Sequence, residues 1–248
     1  MNEIRHRLRS AHLGNERDVW IRPPLDGVAA EVLLVFLDAE LYRDRVKSHE
    51  IVDALEAAGD VPPAWVVHVS HHSVDARWVE CPCHPPFASF VIAELMPWLA
   101  DLHPETRALR ERVLIGLSYT GLAASFVALQ PDQPFTTVIS QSGSYWWEDG
   151  WLTRHYAALP VARPVRFHLE VGDRETQAPV RHKEDLVQTT AQIDAVRAFR
   201  DALLDRGYEV HYSEFDGGHE CGAWARTLPA ALRWATRSAM PPERAGSR

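Results

Sequence analysis

At 248 residues, with 46% apolar content and nine tryptophans, the chain can bury a sizeable core, and its length allows one large or two small domains. Its 34 acidic against 26 basic residues give a formal charge of −8, which excludes a surface built to neutralise nucleic-acid phosphates. No window approaches the ~18 consecutive apolar residues of a membrane span, and the opening MNEIRHRLRS lacks the apolar core of a secretory signal, so a cytoplasmic protein is expected.

Residues 16–22 (ERDVWIR) alternate polar with apolar side chains and stop at Pro23-Pro24, as an outer antiparallel strand does. Three apolar runs follow, VLLVFL at 32–37, WVVHV at 65–69 and RVLIGL at 112–117, each reading as a buried strand. Between them, 49–59 and 86–102 have helical spacing, and Pro97 is predicted to kink or end the second. Further strands are predicted at 136–140, 165–171 and 208–215. Ile193, Val196, Phe199 and Leu203 mark an amphipathic helix over 190–206, closed by Gly207. A last helix is expected at about 222–238, before a flexible polar tail at 240–248. Strands alternating with helices imply an α/β fold, with a mainly parallel sheet covered by helices on both faces. No repeat, linker or composition break divides the chain, so 1–248 reads as a single domain.

In such sheets ligands bind beyond the carboxyl ends of the strands. Ser118 falls there, between the run ending at Leu117 and a breaker-free helical segment over 119–129. A tight strand-to-helix turn lifts a serine hydroxyl clear of the sheet and faces it with free helix N–H groups. The stretch Gly116-Leu117-Ser118-Tyr119-Thr120-Gly121 approximates the G-x-S-x-G pattern, with threonine where the second glycine stands.

A serine hydroxyl needs a histidine to take its proton and a carboxylate to orient that histidine, in the chain order serine, acid, histidine. His168 and His211 lie in predicted strands, and His155 and His182 in polar segments suited to solvated surface or substrate contact, whereas His219 occupies the glycine-rich loop DGGHECGAW after the last strand. Asp173 and Glu175, in GDRETQ after the strand at 165–171, both qualify as the acid. The odd cysteine count (Cys81, Cys83, Cys221) and the lone C-x-C pair fit reduced thiols and no metal site. Cys221 has no helix-start signal around it and ranks below Ser118 as a nucleophile.

The strings GLSYTGLAA, SQSGSYWW (140–147), LEVGDRE and DGGHECGAW, in this order and spacing, resemble the enterochelin (enterobactin) esterase family of α/β-hydrolases. Esterase D, feruloyl esterases and mycolyltransferases are relatives of that family. The likeness extends to LGNERDVWIRPP and FASFVIAELMPWL and so spans roughly 11–238, with SQSGSYWW its most specific piece. It implies an α/β-hydrolase fold, with Ser118 as nucleophile, His219 as base and Glu175, three residues after Gly172, as acid. It also implies an oxyanion hole from the backbone N–H groups of Tyr119 and Glu40. Asp38-Ala39 replaces a common Asp-Gly in the first of these loops and Thr120 a glycine in the elbow, and both changes crowd their turns.

The implied chemistry is two-step hydrolysis of a small-molecule carboxylic ester, without cofactor, metal or membrane. An acyltransferase of the same fold, or a silent ligand-binding member, are the alternatives. If the likeness reaches the substrate, a siderophore trilactone, its anionic bulk calls for cations from Arg77, His71, His72, Arg154 and His155 and flat rings from Trp146 and Trp147. With its elbow at residue 118, the chain resembles the compact members without an extra N-terminal domain. No particular oligomeric state is implied.

Overall fold

Two antiparallel strands, β1 (Ile4–Ser10) and β2 (Asn15–Arg22), lead the chain in the computed structural model, which describes residues 3–25 and 28–237. The tail expected at 240–248 lies outside the described residues. β1 escaped the sequence reading, although IRHRLRS alternates: Leu8 and Ser10 turn inward while Arg5, Arg7 and Arg9 face solvent. Arg5 pairs with Asp18 and Arg7 with Glu16 across the hairpin.

The predicted apolar runs become β3 (Val32–Leu37), β4 (Ala64–Val69), β5 (Glu111–Leu117), β6 (Thr137–Gln141) and β7 (Arg166–Gly172). A short polar hairpin, β8 (Val180–Lys183) and β9 (Leu186–Gln188), precedes β10 (Val210–Phe215). The main sheet runs β1-β2-β4-β3-β5-β6-β7-β10, parallel from β4 to β10 and antiparallel at the β1 edge.

The helices are α1 (Ala39–Leu41), continued by a π-helical turn through Tyr42–Val46, then α2 (Ser48–Ala58), α3 (Val74–Glu80), α4 (Pro85–Ser89), α5 (Met96–Leu102), α6 (Ser118–Leu129), α7 (Trp147–Ala158), α8 (Gln192–Asp205) and α9 (Cys221–Thr236). Pro97 neither ends nor breaks its helical segment. A π-helical stretch, Phe90–Leu95, joins α4 to α5 and leaves Pro97 in the first turn of α5, where a missing N–H costs little.

Every strand residue of β3 is buried, and alternate side chains feed two cores. Val32, Leu34 and Phe36 meet Val52 and Leu55 of α2 and Leu228 and Leu232 of α9; Leu33, Val35 and Leu37 join the opposite cluster with Phe90, Leu95, Leu122 and Val127. Helices thus cover both faces, as a parallel sheet requires. Among the described residues, no helix is long and apolar enough to cross a membrane.

Candidate active site

β5 ends at Leu117, and Ser118 follows with φ +51, a left-handed backbone that a non-glycine residue adopts only at a cost. Two neighbours make the turn feasible. A Cβ on Gly116 would lie 2.1 Å from the Thr120 carbonyl oxygen, so the elbow requires glycine there. Thr120 does not obstruct the turn as the sequence comparison implied: its side chain is fully buried, accepting from the Leu117 N–H (3.0 Å) and donating to the Leu117 carbonyl (2.8 Å).

The Ser118 Oγ lies 3.0 Å from His219 Nε2, and His219 Nδ1 lies 2.6 Å from Glu175 Oε2. The His219 ring stands edge-on to Trp224, centroids 4.9 Å apart at 85°. Glu175 is buried, and its other oxygen, Oε1, accepts from the Gly172 N–H (2.8 Å) and from Ser142 Oγ (2.6 Å). Of the two candidate acids, Glu175 meets the imidazole. Asp173 faces away and accepts from the Gly217 N–H at 3.1 Å, bracing the turn that carries His219. Gly172 is required for this closeness, because a Cβ there would approach the Gly217 carbonyl oxygen to 2.4 Å.

Tyr119 lies in the first turn of α6, where a backbone N–H has no partner within the helix. Glu40 is in α1, after Asp38, whose φ is +75. The left-handed conformation therefore falls on Asp38 and not on Ala39, so alanine is accommodated. The Glu40 carboxylate accepts from the His71 N–H at 3.1 Å, with burial raising its pKa above the usual carboxylate range.

Asp38 is clamped between two cations. Arg77 Nη2 lies 2.8 Å from one carboxylate oxygen and His71 Nε2 3.1 Å from the other. Burial disfavours the Asp38 charge, but these cations outweigh it and hold the carboxyl below its ordinary value. Burial would likewise lower the pKa of His71, yet Asp38 prevails and pushes it up to about 10. Asp38, Glu40 and His71 bring three potential metal-ligand atoms within 4.8 Å of one another, but Arg77 already supplies the positive charge a cation would bring.

A cavity of about 510 Å³ opens at Ser118. Of the residues expected to meet substrate, Arg77 and Trp146 line it, beside Ser118, Tyr119, Glu175 and His219. His71 sits behind it on Asp38, and His72 Nδ1 approaches the Glu16 carbonyl (3.1 Å) on the exposed surface. Trp147, Arg154 and His155 are not part of the lining. Glu148, Asp149 and Gly150 are all left-handed and kink α7, Arg154 donates to the carbonyls of Glu148 and Asp149, and His155 stacks on Trp151.

In their place stand residues outside the expected cation-and-tryptophan set, among them His182, whose polar segment left substrate contact open. His182 of β8 lies flat on Trp146 (4.9 Å, 3°), while Trp78 of α3 meets Tyr119 edge-on (5.0 Å). Arg174 and Ser144 also line the wall, and Ser144 Oγ is 3.5 Å from Ser118 Oγ. Arg174 stands between the two candidate acids in GDRETQ, a position that could have been read. Cys221 begins α9, so a helix start does lie there, but burial raises its thiol pKa and works against a thiolate.

A serine on a left-handed turn at the end of a central parallel strand, met by a histidine and a glutamate from loops after later strands, defines an α/β-hydrolase. Residues 10–235 match the model of the Esterase family, described as "Putative esterase", and the chain belongs to that family. It is 29% identical to the iron(III) enterobactin esterase of Dickeya dadantii, over 91% of this chain and 53% of that protein. With the Escherichia coli K12 protein of the same name the identity is 30%, over 90% of this chain and 54% of the other. The chain thus spans about half the length of these curated relatives. The enterobactin esterase of Shigella flexneri, solved in the presence of enterobactin, superposes with a TM-score of 0.83 at 26% identity, over 96% of this chain and 59% of that one.

Proposed function

We propose that this chain is a serine-dependent carboxylic ester hydrolase, a single-domain enzyme acting on a siderophore ester of the enterobactin type. The observation that carries the hydrolase reading is the unbroken series from Ser118 Oγ through His219 to Glu175, at 3.0 and 2.6 Å. In this reading His219 Nε2 takes the Ser118 proton as Oγ attacks the ester carbonyl, and Glu175 holds the proton on Nδ1 and stabilises the imidazolium. The tetrahedral oxyanion rests on the backbone N–H groups of Tyr119 and Glu40. His219 protonates the departing alcohol, and water, deprotonated by the same imidazole, releases the acid and restores Ser118.

Substrate class is supported by the cavity wall and by the relatives' names. Trp78, Tyr119, Trp146 and His182 offer flat surfaces for aromatic acyl groups, and Arg174, paired to the exposed Asp216 at 2.7 Å, stands at the rim. Arg77, paired to Asp38, serves the loop before it serves a ligand. The cytoplasm, where the sequence leads one to expect the protein, suits its three unpaired thiols.

The test has two arms. A fluorophosphonate probe is expected to label Ser118, read by peptide mass spectrometry, and p-nitrophenyl acetate to be hydrolysed; failure of both overturns the hydrolase reading. Apo and ferric enterobactin are then incubated with the enzyme and their products weighed. Cleavage of small esters alone would remove the siderophore substrate and leave the hydrolase.

A further inference from the structure

SQSGSYWW is the most specific string in the chain, yet the proposed reaction uses none of its side chains for chemistry. We propose that Ser142, within it, is a positioning residue that aims Glu175 at His219; the inference rests on the hydrolase reading and deepens it.

Ser142 directly follows β6, is fully buried, and has φ +49. Its Oγ has two polar neighbours, Trp224 Nε1 at 3.0 Å and Glu175 Oε1 at 2.6 Å. An indole N–H can only donate, so the Ser142 oxygen accepts from Trp224 and its own proton is directed to the carboxylate. Glu175 Oε1 is thereby fixed by two donors, Ser142 and the Gly172 N–H, and Oε2 is left to the imidazole. Held at one oxygen by Gly172 alone, the carboxylate could pivot and turn Oε2 away from Nδ1.

The backbone around Ser142 is fastened as well. Its N–H donates to the Glu170 carbonyl (2.7 Å), and the Gln192 amide donates to the carbonyls of Ser142 (2.5 Å) and Gly143 (2.7 Å). Trp224 serves the site twice, since the indole that orders Ser142 also backs the His219 ring. A left-handed serine is an expensive way to fill this position, and glycine would fit the same backbone without strain. The hydroxyl is what glycine lacks.

The experiment measures kcat and KM for a p-nitrophenyl ester in Ser142→Ala, Ser142→Gly, Glu175→Ala and the Ser142→Ala/Glu175→Ala pair, with thermal unfolding of each. Loss of a hydrogen bond to a charged group predicts that S142A and S142G lower kcat by roughly ten- to a hundredfold, with KM unchanged. S142G keeps the backbone at ease should S142A fold poorly. In the E175A background S142A is expected to change kcat by less than about twofold, because the residue acts through a carboxylate no longer present. A full S142A loss persisting in that background, or S142A and S142G remaining within twofold of wild type while E175A is impaired, overturns the inference alone. An E175A enzyme with unimpaired kcat overturns the underlying assignment of the triad acid.

Discussion

Replacing Glu175 by glutamine removes one charge with hardly any change of shape, and the surrounding donors dictate how the amide must sit. Gly172 N–H (2.8 Å) is a fixed backbone donor on Oε1, and Ser142, itself accepting from Trp224, donates to the same oxygen. The amide oxygen must occupy this place, and the NH2 must then face His219 Nδ1, 2.6 Å away in the wild type. Nδ1 can meet an N–H only as an acceptor, so the ring proton moves to Nε2, the atom 3.0 Å from Ser118 Oγ. An Nε2 that already carries a proton cannot accept another from serine. A wrong-tautomer lesion of this kind costs about 10⁴ in kcat in serine proteases, or about 5.5 kcal/mol of transition-state stabilisation. Glu175→Ala leaves the tautomer free and is expected to lose less than Glu175→Gln. Steady-state hydrolysis of a p-nitrophenyl ester near pH 7.5, with unfolding curves for both variants, measures this order. A glutamine variant within tenfold of wild type, or one more active than the alanine variant, would refute the reasoning.

His182→Ala is expected to raise KM for an aromatic ester by roughly two- to tenfold, the worth of one stacked ring, with kcat little changed; an equal effect on an acetyl ester would count against an aryl subsite. His71→Gln tests the Asp38 clamp through pH. A folded-state value of about 10 lies above that of an unfolded histidine, so the protonated ring stabilises fully below about pH 6.5 and progressively less as pH rises through 10. Denaturation at several pH values is expected to show wild type losing stability relative to His71→Gln above neutrality, by at most about 1.4 kcal/mol per pH unit; parallel curves would contradict this. Thr120→Val keeps the volume but removes the acceptor of the buried Leu117 N–H, and is expected to cost about 1–3 kcal/mol in chemical unfolding. Ser118→Gly relieves the positive φ that Ser118→Ala retains, so the inactive glycine variant is expected to be the more stable of the two by roughly 1 kcal/mol.

What could be read from the sequence follows the physics of each segment. The buried strands β3, β4 and β5 were legible because a strand covered on both faces reads as a near-continuous apolar run, β6 and β7 less so because Ser140, Gln141, His168 and Glu170 interrupt them; Ser118 and His219 stood out because each stands directly after such a strand or in a glycine-rich loop. Residue type and position left Asp173 and Glu175 both open, since they lie in one turn, and it was the family resemblance that pointed to Glu175; in the structure Glu175 reaches His219 while Asp173 accepts from the Gly217 N–H. α3 and the β8–β9 hairpin supply Trp78 and His182 to the cavity, but they are short and half exposed, and so carry no strong hydrophobic period. Arg154 and His155 carry suitable charge and stand close in sequence to Trp146 and Trp147, but that proximity does not place a side chain in the cavity. The three left-handed residues at 148–150, of which only Gly150 is a glycine, turn Arg154 and His155 elsewhere, and the Asp149-Gly150 pair is the turn signal in the sequence that marks this kink.

Backbone strain in this molecule follows a pattern that links the fold to the site. The adjacent parallel strands β3, β5 and β6 end at Leu37, Leu117 and Gln141, and the next residue in each case is non-glycine with positive φ: Asp38 at +75, Ser118 at +51 and Ser142 at +49. Each costs on the order of 1–2 kcal/mol relative to a relaxed backbone, and each is over-determined by its surroundings. Arg77 and His71 grip Asp38, the Ser144 N–H holds the Ser118 carbonyl at 3.0 Å, and Trp224 and Gln192 secure Ser142. The same geometry brings three side chains to one rim of the sheet, with a distinct task in each case under the proposed mechanism: loop support, attack and aiming of the acid. Glycine at any of the three would relax the chain but remove the side chain that the proposed mechanism uses there, which is a physical reason for strain to persist at this rim of the sheet.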